Sequence, residues 1–264
     1  MSDLSWLTRR PIAHRGYHDL NRTRWENTLS AFDAAAGRDY AIECDVHLSA
    51  DGVPVVFHDN DLPRLTGQQG FVHERTAADL ARMMVGGTAD HVPTLAEMLR
   101  RVAGRVPVVI ELKGIEGKDE GLVAAVAGAL RGYPGKAAIM SFDHWLVRQF
   151  AQQAPGIPGG LTAEGGAVRD LEAHFSMLAH PISFVSFRVG DLPNPFVAFV
   201  RERLGLPVIT WTVRNRQQQE LTANHADQMT FEGFEPDLGP GSRHCETVIA
   251  AILQRTMAGV SKSA

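Results

Sequence analysis

Two short stretches of this chain carry a strong extended pattern. Ala41-Ile42-Glu43-Cys44-Asp45-Val46-His47 alternates with a period of two, and Val53-Pro54-Val55-Val56-Phe57-His58-Asp59 is a second apolar run ending in polar residues. Ser49-Ala50-Asp51-Gly52 lies between them and holds the Asp-Gly pair typical of a hairpin turn. A turn over 49–52 predicts Val46 opposite Val55, Asp45 opposite Val56 and Glu43 opposite His58. On a pleated strand Glu43, Asp45 and His47 share one face, and Ile42, Cys44 and Val46 share the other. The second face suits packing against helices. The first gathers charge, and by itself fits either a cation site or the solvated face of an edge strand.

The same reading extends over the chain. Pro11-Ile12-Ala13-His14-Arg15-Gly16 is a short strand entering a loop, and Glu26-Asn27-Thr28 opens a helix to Arg38. A polar loop is predicted over 60–75, a short helix over 76–85, and a capping box at Thr94-Leu-Ala-Glu97. Strands are then predicted over 106–113, 136–142, 157–163, 182–187, 207–213 and 226–231. Helices alternate with them over 119–132, 143–153, 168–178 and 194–204, then after the strand 207–213 to Asn224, and last over 247–257.

Strands alternating with helices of about ten residues predict a parallel α/β fold. Nine strand candidates exceed the eight of a TIM (β/α)8-type barrel. Six residues between Val46 and Val53 are too few for a parallel crossover, so a short hairpin-like link joins the second and third strands. A doubly wound sheet would call for a Gly-x-Gly-x-x-Gly after the first strand, which is absent. With no composition shift or repeat, residues 1–264 read as one barrel domain, of ordinary barrel size.

Composition narrows the class. The formal net charge is −4, which leaves no basic footprint for nucleic acid. No apolar run approaches a membrane span, and the first ten residues lack a signal-peptide core. Two cysteines, Cys44 and Cys245, suggest no disulfide framework and a cytoplasmic setting.

In such barrels function collects at the C-terminal ends of the strands. Those ends carry His14 and Arg15, Glu43 and Asp45, Glu111 and Lys113, Ser141, Trp211, and Glu232. Independent strands thus bring acids, bases and cations to one rim. The histidines at 18, 73, 91, 144, 174, 180, 225 and 244 lack metal-ligand spacing and read as structural or solvated.

Taken together, His14-Arg15-Gly16, Glu26-Asn27-Thr28, Glu43-x-Asp45, His58-Asp59, Glu111-x-Lys113 and Trp211-Thr212-Val213 follow the order found in the glycerophosphodiester phosphodiesterases. The chain resembles that family from about Ile12 to Val213. Asp51-Gly-Val-Pro-Val-Val, Pro93-Thr-Leu-Ala-Glu97 and Ser141-Phe142-Asp143 also match. Two departures stand out: Trp25 where the family usually has proline, and Met229-Thr230-Phe231-Glu232 where it commonly ends in Thr-Asp.

The resemblance implies a metal-dependent hydrolase of glycerophosphodiesters, a lipid- and glycerol-metabolism activity releasing sn-glycerol 3-phosphate and an alcohol. It implies Glu43, Asp45 and Glu111 as ligands of one divalent cation, Mg²⁺ or Ca²⁺, with His14 and His58 as the acid–base pair. Arg15 and Lys113 would neutralise the phosphate, and Trp211 would pack on the glycerol or the leaving group. The compact segment from Asp59 to Val106 suggests a small substrate. A lysophospholipase D-like or other phosphodiesterase on the same barrel, or a catalytically silent phosphodiester-binding barrel, are the competing readings.

Overall fold

Apolar residues from six strands of a closed parallel ring build the centre of the molecule. The computed structural model describes residues 3–236, and the barrel lies within the compact unit Met1–Phe234. The helix predicted over 247–257 falls outside the described residues. Nine strands are described: Ile12–Ala13 (β1), Ala41–Leu48 (β2), Pro54–Val56 (β3), Val108–Leu112 (β4), Ala137–Ser141 (β5), Gly159–Ala163 (β6), Phe184–Arg188 (β7), Val208–Val213 (β8) and Gln228–Phe231 (β9).

Neighbours run β1-β9-β8-β7-β6-β5-β4-β2, and a β1–β2 pairing closes the ring. Every ring pairing is parallel, whereas β3 is antiparallel on β2 and lies outside the ring. This is the predicted eight-stranded barrel with its rim hairpin.

Alternation assigns one face of each strand to the interior. Ile12, Ala41, Val109, Ala138, Met140, Phe184 and Ile209 form a dry floor, which Leu7 of the N-terminal helix Ser5–Thr8 joins from below. Phe184 needs the absent side chain of Gly160, since a Cβ there would enter its ring. Two residues after Ile12, Ala41 and Val109 the interior turns polar, at His14, Glu43 and Glu111. The opposite faces of the strands meet helices such as Leu29–Gly37 and Leu95–Val102, capped by the Thr28 and Thr94 hydroxyls. Cys44 lies on this helix-facing side, buried and free.

Three details depart from the sequence reading. The hairpin register is shifted by one, pairing Val46 with Val56 and His47 with Val55. Its loop is Ala50-Asp51-Gly52, with Gly52 left-handed at φ 74°, and the Ser49 amide donates to the Val53 carbonyl. A three-residue loop of this kind moves the ladder by one position. His58 therefore does not face Glu43 across the strands; it follows β3.

The second detail is residues 60–92, read as a polar loop over 60–75 and a short helix over 76–85, which bury a core of their own. Leu62, Leu65, Val72, Leu80, Val85 and Val92 bury with Val55 and Phe57 in a second core beside the rim. Their irregular spacing hides the core from periodicity. The helix predicted over 143–153 is also split, into His144–Val147 and Phe150–Gln153.

Candidate active site

The polar layer begins on β2 and β4. Register places Asp45 beside Glu111, and Glu43 one inward position below Asp45. All three carboxylates are buried, and one oxygen from each lies within 4.8 Å of the others. Burial pushes the Glu43 carboxyl well up, and the Asp45 and Glu111 charges add to it. Burial likewise raises Glu111. Asp45 goes the other way, because Lys113 and Arg15 outweigh its burial.

Cations and an amide hold this acidic trio. Lys113 Nζ is 2.7 Å from Glu111 Oε1 and 3.4 Å from Asp45 Oδ1. The Arg15 amide donates to Glu43 Oε2 at 2.8 Å, and its guanidinium pairs with Glu26 at 2.7 Å and Asp45 at 3.4 Å. Arg15 has a left-handed backbone, φ 53°, just before Gly16, whose α-hydrogens face Ala31 too closely for any side chain. The Asn27 side chain donates to Asp45 Oδ2 at 2.9 Å.

Two imidazoles complete the rim, each bound at Nδ1 by a carboxylate. His14 Nδ1 is 2.5 Å from Glu232 Oε2, and His58 Nδ1 is 2.7 Å from Asp59 Oδ1. Burial lowers the pKa of both; Glu232 opposes this at His14 and Asp45 opposes it at His58. His14, Arg15, Asp45, His58, Glu111, Lys113 and Trp211 line one cavity of about 510 Å³, with Phe142, Glu164 and Arg188 across from the imidazoles. Trp211 meets Phe142 edge-on at 5.1 Å and donates from Nε1 to the Ser186 carbonyl at 3.3 Å. Thus seven of the eight sequence-predicted residues line the cavity, and Glu43 lies just beneath them in the acidic trio.

Comparison with known proteins gives this geometry a family. The sequence profile of the Glycerophosphoryl diester phosphodiesterase family matches residues 14–233. The chain belongs to the glycerophosphoryl diester phosphodiesterase family. A glycerophosphodiester phosphodiesterase of Caldanaerobacter subterraneus subsp. tengcongensis is 29% identical over 79% of this chain and 87% of its own length. An Oleispira antarctica phosphodiesterase, solved with the product sn-glycerol-3-phosphate, superposes with a TM-score of 0.72 at 23% identity, over 84% of this chain and 92% of that one. The Thermotoga maritima glycerophosphodiester phosphodiesterase gives a TM-score of 0.66 at 24% identity, covering 83% and 92%. At these identities the two solved structures bear on the barrel fold. The chain is accordingly a phosphodiesterase of this class, and among the described residues no helix is long and apolar enough to cross a membrane.

Arg64 escaped the sequence reading of this phosphodiesterase, and His47 and Trp25 take roles that the reading did not give them. Arg64, in the segment read as a loop, makes two hydrogen bonds to Glu26, at 2.7 and 3.0 Å, and two to Asp59, at 2.6 and 2.9 Å. It thereby ties the carboxylate behind His58 to the one behind Arg15. No local signal marks an arginine in an irregular loop. His47 is buried and sits 3.1 Å from the His58 carbonyl through Nε2, so it braces the backbone of His58. Trp25, the family departure, packs on the second core over Gly86, where a Cβ would strike its ring.

Proposed function

We propose that this enzyme hydrolyses glycerophosphodiesters to sn-glycerol 3-phosphate and an alcohol, using a divalent cation held by Glu43, Asp45 and Glu111. The observation carrying this reading is the convergence of three buried carboxylates, two Nδ1-anchored imidazoles and two cationic side chains on one cavity. Three neighbouring carboxylates, two of them pushed up by burial and mutual repulsion, are short of positive charge. An all-oxygen donor set suits a hard ion, Mg²⁺ or Ca²⁺, better than zinc. Such an ion, when bound, supplies Lewis-acid stabilisation of charge growing on the phosphate oxygens.

The remaining steps belong to the chain. Arg15 and Lys113 balance the diester charge, the first through a planar guanidinium already oriented by Glu26. With Nδ1 engaged, His14 and His58 each offer Nε2 for proton transfer. One imidazole takes the proton of the attacking hydroxyl, and the other protonates the departing alcohol. Trp211 and Phe142 supply an apolar wall for the glycerol carbons or the leaving group.

A lysophospholipase D-like activity calls for an apolar channel for an acyl chain. The cavity lining offers Phe142, Val189 and Trp211 among charged neighbours, which favours small water-soluble diesters. A silent barrel is disfavoured by the complete set of imidazoles and carboxylates. The test is release of glycerol 3-phosphate from glycerophosphocholine, glycerophosphoethanolamine and glycerophosphoglycerol, before and after EDTA. Turnover lost on chelation and regained with Mg²⁺ or Ca²⁺ is expected; turnover that survives complete chelation removes the cation from the reaction.

A further inference from the structure

His14, His18 and Glu232 form a second cluster in which one potential ligand atom from each lies within 4.8 Å of the others. The composition suggests a cation site of the two-histidine, one-carboxylate kind. Hydrogen bonding around His18 rules this out. The Leu20 amide donates to His18 Nδ1 at 3.1 Å, and an amide can only donate, so Nδ1 holds a lone pair and the ring proton sits on Nε2. Nε2 is buried and 3.5 Å from Glu232 Oε2, and a protonated nitrogen cannot ligate a metal.

The cluster instead organises a carboxylate. Glu232 follows β9 and is largely buried. Its Oε1 accepts from Arg214 Nε at 2.7 Å, and its Oε2 contacts His14 Nδ1 at 2.5 Å, with the His18 Nε2–H beside it. Arg214 and His18 present only donors here, so Glu232 is left as an acceptor toward His14. The proton of neutral His14 must then sit on Nδ1, which leaves Nε2 bare.

We propose that Glu232, held by Arg214 and His18, is the positioning residue of His14, locking its ring as the Nδ1–H tautomer with an unprotonated Nε2 toward the cavity. The two histidines around this carboxylate are thus held in opposite tautomers. The catalytic meaning of the lock rests on the role proposed for His14; the lock itself does not.

Two readouts separate those layers. Long-range ¹H–¹⁵N correlation spectra of histidine-labelled protein, assigned with His14→Ala and His18→Ala, report the tautomers directly and need no substrate. At a pH where both rings are neutral, Nδ1–H is expected for His14 and Nε2–H for His18 in the wild type. In Glu232→Gln, Arg214 claims the amide oxygen and the NH₂ group faces His14 Nδ1, so His14 is expected to switch to Nε2–H. Loss of kcat on the order of 10²–10⁴-fold, with KM changed less than about threefold, should accompany the switch. Glu232→Asp restores an acceptor and is expected to retain the wild-type tautomer and turn over at least about tenfold faster than Glu232→Gln. A wild-type His14 carrying its proton on Nε2 would overturn the proposal even if no variant folds. So would Glu232→Gln that keeps the Nδ1–H tautomer; a switched tautomer with kcat within about threefold of wild type would leave the lock and overturn its catalytic meaning. If the wild type shows the expected tautomers but hydrolyses no diester, the lock stands and the functional reading fails.

Discussion

The two halves of the barrel interior solve the same problem in opposite ways. On β1, β2 and β4 the positions above the apolar floor are His14, bound by Glu232, and the buried carboxylates Glu43, Asp45 and Glu111, tied to Arg15, Lys113 and Asn27. On β6, β7 and β9 the inward positions are Thr162, Ser186 and Thr230, whose buried hydroxyls have no hydrogen-bond partner among the described residues. Beyond them Arg188 and Glu164 make a solvated pair at 3.5 Å. One half stores electrostatic energy and the other stays neutral. A buried carboxylate without partners would be costly, so the charged half survives through its pairing with Lys113, Arg15 and Asn27. The neutral half carries only the smaller desolvation cost of its three hydroxyls.

The sharpest way to break this contrast is within the charged half. Asp45→Asn removes one acceptor from the trio and one counter-charge for Lys113. We expect kcat/KM to fall about 10⁴-fold or more, equivalent to 5 kcal/mol or above, in a glycerol 3-phosphate release assay. Activity within tenfold of wild type would show that the trio is only structural.

The floor predicts the reverse pattern. Phe184→Ala opens a cavity against Gly160 and should cost about 3–5 kcal/mol in urea unfolding, while kcat of the folded enzyme stays within about threefold. A collapse of kcat comparable to that of Asp45→Asn would mean that floor and site do not separate.

Acid provides a third comparison. Burial pushes Glu26 up, but Arg64 and Arg15 outweigh it and hold the carboxyl at about 2; Asp59 is held at about 2 against the same opposing burial, by Arg64 and His58. A depressed carboxylate contributes stability that is present above its ordinary value near 4 and lost as pH falls through about 2. Arg64→Met should therefore lower stability by on the order of 1–3 kcal/mol at neutral pH and flatten its decline between pH 4.5 and 2, as read by chemical denaturation across pH. An unchanged acid profile would detach Arg64 from both carboxylates.

The smallest effect belongs to the neutral half. Arg188→Gln breaks a pair that is half exposed on both sides and should change stability by less than about 1 kcal/mol and KM by less than about threefold. A larger loss confined to one leaving alcohol would show that this side of the cavity selects the head group.

Most of the barrel was legible because its strands are short apolar runs between helical segments, and helices such as those after Thr28, Thr76 and Thr94 begin at hydroxyl caps, both of which are local properties. The short link after His47 required a hairpin on length alone. The site's principal residues were legible for a related reason: a parallel barrel sends the ends of all its strands to one rim, so polar residues ending apolar runs must meet. Tertiary structure decided what depends on distant chain segments. A left-handed Gly52 shifted the hairpin by one and placed His58 after β3. The second core under residues 60–92 arose from apolar residues without a period. Arg64 became the tie between Glu26 and Asp59, and Glu232, 218 residues from His14 in sequence, became its carboxylate. Side-chain alternation follows from each strand alone, whereas the partner of a buried charge is chosen only when the barrel closes.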